Sequence, residues 1–125
     1  MPKASKETAS KVTDFGLGVD REERLDGYTI SFVTVRESHS LAEFLKGLPG
    51  DRCHCPHWGF LFKGRLTVRY GEEEEVIEAG NAFYMPPGHV PAAEAGSEFV
   101  QFSPSEELDT TMAAIQKNMQ AMQGA

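Results

Sequence analysis

The chain has 125 residues, 40% hydrophobic and 25% charged, which suits one globular domain large enough to bury its own core. No apolar run reaches the roughly 20 residues that a membrane span needs, and 12 basic against 19 acidic residues, a formal charge of −7, disfavour a nucleic-acid partner. The opening "MPKASKETASKV" has no apolar h-region and no Arg, so it reads as neither a secretory signal nor a transit peptide, and a cytoplasmic protein is expected.

Residues 1–24 are expected to form a flexible tail and loop. The first eleven are polar, and "FGLGVDREERLDG" adds three glycines and a cluster of charge. "YTISFVTVRE" alternates β-branched and aromatic residues with polar ones and predicts a strand. "SLAEFLKGLPG" places Leu41, Phe44, Leu45 and Leu48 at helical spacing but ends in Gly-x-Pro-Gly, so a short helix and a connecting turn both remain open.

From His57 onward, "HWGFLF", "RLTVRY", "EEVIE", "NAFYM", "HVPAAEA" and "EFVQFS" are short strand-like runs broken by Gly and Pro. That pattern predicts an all-β antiparallel sandwich or barrel. The Glu72 to Glu75 run is expected to be a solvated turn. The last segment, residues 104–125, predicts a helix, with Ser103 as N-cap, Pro104 at the first helical position and Glu106 completing a capping box. Leu108, Met112, Ile115, Met119 and Met122 form a narrow apolar seam. It can pack on its own barrel or on a second subunit.

The stretch "CHCPHW" concentrates the chemistry. It holds both cysteines, Cys53 and Cys55, with His54, His57 and the single Trp58. Cysteines separated by one residue are poor disulfide partners, so thiols or thiolates are expected. If the chain is extended from about Asp51, the side chains of Asp51, Cys53, Cys55 and His57 share one face, while His54 and Trp58 share the other. Inside a small barrel one such face looks into the lumen, and thiolate, imidazole and carboxylate are transition-metal ligands. Trp58 and Phe60 then face outward, onto a sheet surface or a dimer interface. His39 is expected to be exposed.

Residues 28 to 103 resemble a cupin, a small jelly-roll β-barrel marked by two motifs. In the first, Gly64 of "FLFKGRLTV" occupies the turn-glycine position, which sets His57 in the glutamate slot, Cys53 in the second histidine slot and Asp51 in the first. In the second, "GNAFYMPPGHVP" matches with Gly80, Pro86 and Gly88, but Pro91 stands in the histidine slot and His89 lies two residues earlier. Two residues is one pleat, so His89 can face the same side. "CPHWGFLFKGR" and "YMPPGH" resemble a group of small cupins more closely.

The resemblance implies a cupin-like barrel over residues 25–103 and a ligand set exchanged for softer atoms: His57 and His89 with Cys53, Cys55 or both. Such a set suits zinc, with iron, nickel or manganese as alternatives. The competing reading is a metal-free barrel with both cysteines buried as small apolar residues. Two functions follow. One is a metal-binding module, with or without a small organic ligand. The other is a metal-dependent enzyme, a dioxygenase, isomerase or similar, acting on a small organic substrate. An open coordination position, hence three protein ligands rather than four, favours the enzyme. The resemblance also implies a homodimer.

Overall fold

In the computed structural model, which describes residues 3–123, the alternating segments form ten strands followed by one helix. The strands are β1 (Lys11–Asp14), β2 (Gly18–Leu25), β3 (Tyr28–Val35), β4 (His39–Ser40), β5 (His57–Lys63), β6 (Arg65–Tyr70), β7 (Glu73–Glu78), β8 (Ala82–Met85), β9 (Val90–Ala93) and β10 (Glu98–Pro104); α1 spans Ser105–Gln123. A six-stranded sheet in the order β1-β2-β3-β10-β5-β8 faces a four-stranded sheet in the order β4-β9-β6-β7. The strand pairs are antiparallel. This is the expected all-β jelly roll with a C-terminal helix. The first two residues of the expected tail and the last two of the expected helix lie outside the described residues.

The six strands expected after His57 form as β5 to β10. Two expectations need correction, and one choice left open is resolved. First, residues 11–25, read as tail and loop, form β1 and β2, and β2 pairs with β3 along its whole length. The link is the two-residue turn Asp26-Gly27, where both residues have positive φ (50° and 79°), the type I′ geometry that suits a hairpin. Second, "SLAEFLKGLPG" is two 3-10 turns, Ala42–Leu45 and Pro49–Asp51, with Gly47 at φ +97° between them. Third, Ser103 is not a helix cap. It lies within β10, one residue before its end, its hydroxyl is bound to His57, and α1 starts at Ser105, whose N–H donates to the Gly27 carbonyl (2.9 Å). In the acidic run the turn takes only Gly71 and Glu72, and Glu73 to Glu75 belong to β7.

The core has two parts. Leu61, Leu66, Val68, Ile77, Phe83 and Met85 fill the space between the sheets. Leu45, Cys53, Cys55 and Leu108 form a second cluster beneath the helix, joined by Met112 and Ile115. The apolar seam of α1 therefore packs on its own barrel, and full burial of a side chain such as Leu108 contributes about 1.5–3 kcal/mol. Asn118 adds two hydrogen bonds from Nδ2, to the carbonyls of Phe44 (2.7 Å) and Lys46 (2.9 Å). An exposed Arg24–Asp109 ion pair anchors the helix start. Met122, at the end of the seam, is exposed. No helix among the described residues is long and apolar enough to cross a membrane.

Gly64 closes the β5–β6 turn at φ +87°, and a Cβ there would lie 2.6 Å from the Cα of Ser97. Ser97 in turn uses its hydroxyl to bond both the N–H and the carbonyl of Arg65 (3.1 and 3.2 Å). Gly64→Ala is expected to cost about 2–4 kcal/mol through backbone strain and overlap. Urea unfolding measures it, and an unchanged midpoint would contradict the tight packing of this turn.

Candidate metal centre and cavity

The site is built on a backbone contact between two distant segments. Cys53 forms an isolated antiparallel bridge with His89. The Cys53 N–H donates to the His89 carbonyl (3.0 Å), and the N–H groups of Gly88 and His89 donate to the Cys53 carbonyl (2.8 and 3.2 Å). The "PPGH" turn that presents His89 depends on Gly88, at φ +95°. His57 is the first residue of β5 and points inward, in alternation with the outward Trp58.

Cys53, His57 and His89 are all buried, and their ligand atoms lie within 4.8 Å of one another. Cys53 Sγ is 3.6 Å from His57 Nε2. Bonds to zinc of about 2.3 Å from sulfur and about 2.0–2.1 Å from nitrogen, at a tetrahedral angle, require a separation of about 3.6 Å. His89 Nδ1 lies 2.7 Å from the Pro86 carbonyl. A carbonyl only accepts, so Nδ1 carries the proton and Nε2 presents a lone pair. That Nε2 is buried with no hydrogen-bond partner. His57 Nδ1 shares a 2.6 Å hydrogen bond with Ser103 Oγ, which turns its Nε2 to the cluster. The two rings meet edge to face with centroids 5.0 Å apart. Each imidazole thus has one nitrogen held and the other directed inward, as in metal-binding histidines with an outer partner.

Burial sets the protonation states. It pushes His57 down to about 3, helped by the neighbouring His89. It also lowers His89, against the opposing hydrogen bond to Pro86. Both rings are neutral at pH 7, the form that binds metal. Burial raises the Cys53 thiol, while the Cys55 backbone and the Thr111 hydroxyl, 3.7 Å from Sγ, pull the other way. The residues present fit a divalent metal: two neutral imidazoles, one of them with an unpartnered nitrogen, converge with a thiol.

Cys55 and Asp51 do not join them. The chain bends at Cys55 before Pro56, and the regular strand starts only at His57, so the two-residue period fails across this segment. The Cys55 sulfur is buried near the carbonyls of Pro56 (3.5 Å) and Pro104 (3.9 Å). Burial first, then Cys53, pushes its thiol up to about 12. Asp51 is exposed in a 3-10 turn and accepts from the Gly47 N–H (3.1 Å). His54 is exposed and bonds the Pro49 carbonyl (2.6 Å). His39 is half-buried rather than exposed, with Nδ1 on the Glu37 carbonyl (2.8 Å).

Cys53 and His57 lie on the wall of a cavity of about 200 Å³ between the sheets and α1. Its lining is mainly apolar, with Val33, Leu66, Met85, Phe99 and Met112 among the walls; Asp20, His39, Gln101 and Thr111 are among its polar groups. Asp20, Ser103 and Thr111 are the residues that sequence reasoning missed. Asp20 stood in a segment read as loop, although the Asp-Gly of the following turn was a hairpin signal. Thr111 sits between seam positions of the helix, and nothing in the sequence marks its tie to Cys53.

No family profile and no curated protein matches the sequence. Solved structures match the fold. A protein of unknown function from Rhizobium leguminosarum is 22% identical, with a TM-score of 0.60 over 82% of this chain and 95% of that one. An RmlC-like cupin from Shewanella frigidimarina is 16% identical, with a TM-score of 0.55 over 81% of this chain and 88% of its own. The Fe(II) form of HppE is 12% identical, with a TM-score of 0.56 over 82% of this chain and 57% of its own. At these identities the likeness is one of fold: the chain has the cupin fold.

Proposed function

We propose that the chain binds one divalent transition metal, zinc, through Cys53, His57 and His89, beside a cavity that holds a small organic molecule. The observation that carries this reading is the buried, unpartnered Nε2 of His89, directed at a thiol and a second neutral imidazole. A polar atom left unsatisfied in the interior costs about 1–3 kcal/mol, and a metal removes that cost. Thiolate and imidazole together favour zinc over the harder cations. Fe(II), the metal of HppE among the fold neighbours, is the alternative.

The chain's own residues prepare the site. Ser103 and the Pro86 carbonyl fix the two rings, Thr111 offers its hydroxyl to the sulfur, and the apolar walls limit water. Metal bound there supplies Lewis-acid polarisation of an oxygen on the organic molecule. With Cys55 held apart, three protein ligands leave a coordination position open. This favours the second reading, a metal-dependent enzyme such as an isomerase or dioxygenase, over a closed structural site. The free thiols of Cys53 and Cys55 suit a reducing compartment, the cytoplasm.

The same reading includes a homodimer. Trp58, Phe60, Phe62, Tyr84 and Phe102 share the outer face of the six-stranded sheet and are between 37% and 53% exposed. Trp58 stacks on Tyr84 with centroids 5.0 Å apart. An aromatic face of this kind is characteristic of an interface, and a second copy is its proposed occupant.

Metal analysis of protein purified without a polyhistidine tag is expected to give one zinc per chain. His89→Ala and Cys53→Ser abolish stoichiometric binding, Ser103→Ala weakens it about 10- to 100-fold, and Cys55→Ser leaves it intact. Protein that neither contains nor takes up zinc or iron, or a Cys55→Ser variant that loses metal, overturns the ligand set. X-ray absorption separates the two functional readings, since four protein ligands with no exchangeable position would count against catalysis. For the dimer, light scattering is expected to give twice the chain mass for the native protein and the chain mass for a Trp58→Arg, Phe60→Arg double variant. A native monomer at all concentrations refutes it.

A further inference from the structure

Asp20 is the charged residue whose surroundings the metal site does not explain. It enters the cavity from β2, between Thr13 on β1 and Val33 on β3, both of which also line the cavity. Its Oδ1 is buried with no hydrogen-bond partner. Along the sheet, Asp20 shares a cross-strand row with Val33 and Phe99. Ser103, the partner of His57, lies four residues further along β10, about 13 Å away at the usual strand rise. Asp20 therefore stands at the far end of the cavity from the metal cluster.

No Lys or Arg lines the cavity. The nearby charges are Glu22, two residues on along β2 and almost fully buried, and Lys11 across on β1. At the Asp20 end of the cavity an acidic group would meet a carboxyl, with Glu22 close by and no Lys or Arg on the wall, which costs several kcal/mol per unpaired ion. The volume bounds the ligand as well: an engineered apolar cavity of about 150 Å³ takes up benzene, so about 200 Å³ accommodates one ring or a short alkyl chain with a polar substituent.

We infer that the cavity takes a small apolar molecule bearing an amine or hydroxyl group and no acid, with Asp20 as the residue that grips that group. This rests on the proposed reading only in taking the cavity to be a ligand site, not on the metal. Burial first, and then Glu22, raises the Asp20 carboxyl to about 7, with Lys11 and the Ser31 hydroxyl acting in the opposite sense. Near neutrality it can thus accept a hydrogen bond from an alcohol or, by giving up its own proton, pair with an ammonium.

The test uses four probes of one size, benzylamine, benzyl alcohol, toluene and benzoate, titrated by NMR into zinc-loaded and metal-free protein. In the metal-free protein, benzylamine and benzyl alcohol are expected to bind at least about tenfold tighter than benzoate. Asp20→Leu and Asp20→Asn are expected to weaken benzylamine about tenfold or more, with toluene affinity unchanged in Asp20→Leu. Benzoate binding to the metal-free protein equal to or tighter than benzylamine overturns the inference, as does benzylamine affinity that ignores both substitutions. Zinc content is measured on the same samples. Zinc bound without any benzylamine binding defeats this inference alone, and benzylamine bound without zinc uptake defeats the metal reading alone.

Thermal stability gives an independent readout of the same group. An acid raised from 3.8 when unfolded to about 7 when folded destabilises the fold progressively as pH rises between those values. Asp20→Asn removes the penalty, while Glu22 and Lys11 are common to both proteins. Its gain in Tm should therefore be close to nil at pH 4 and largest at pH 8. A loss of Tm at pH 8 would make Asp20 a structural group and overturn its role as a ligand contact.

Discussion

Three backbone hydrogen bonds join Cys53 to the Gly88–His89 turn, and the candidate centre depends on them. They bring two loop segments, distant in sequence, to one sheet-like register and so place a thiol and an imidazole on the same side. Side-chain attraction alone would not achieve this, because both groups would have to surrender rotamer freedom in loops. With the backbone fixed, the remaining freedom is small. The Pro86 carbonyl holds one ring, Ser103 holds the other, and β5 supplies the origin of His57. The cost of organising the ligands is thus met during folding, which leaves more of the binding energy available for a metal.

The parts legible in the sequence are those where one local rule agrees with the tertiary environment. From His57 to Pro104, alternation and Gly/Pro punctuation mark every strand, because one face of each is buried and each turn needs its special residue. β2 was not legible, since "GVDREERL" alternates charge with charge and offers no apolar face. Its identity comes from pairing with β3. Ser103 fails for a different reason. The Ser-Pro-x-Glu pattern predicts a cap, but His57 competes for the same hydroxyl and holds it. Cys55 fails because a period-two argument needs an extended chain, and the bend before Pro56 breaks it. His89 succeeds because its two-residue offset from Pro91 preserves parity through the start of β9.

The helix supplies one wall of the cavity. Met112, Ile115 and Met119 form part of the cavity wall, and Thr111 from the same helix reaches Cys53. Unbranched, polarizable methionine adapts to several ligand shapes, so the wall contributes apolar contact without strong shape selection. Discrimination must then come from the few polar groups, which lie at opposite ends of the cavity. A ligand is sorted by what it offers to the cluster at one end and to Asp20 at the other.

One physical cause acts on all of these groups. Burial lowers His57 and His89, raises Cys53 and raises Asp20. In each case it favours the uncharged form. The chamber therefore rests close to electrical neutrality although it contains a thiol and a carboxyl. Charge enters with what binds. A divalent cation draws the proton from Cys53, and the thiolate compensates part of its charge. A neutral amine would take the proton of Asp20 and become its ammonium partner, whereas an amine that arrives as an ammonium would favour the carboxylate, whose proton leaves to solvent. Each binding event then creates its own counter-ion at the moment it is needed. An anion at the Asp20 end finds no such response, because the carboxyl there can only lose a proton and His57 and His89 are held neutral by burial.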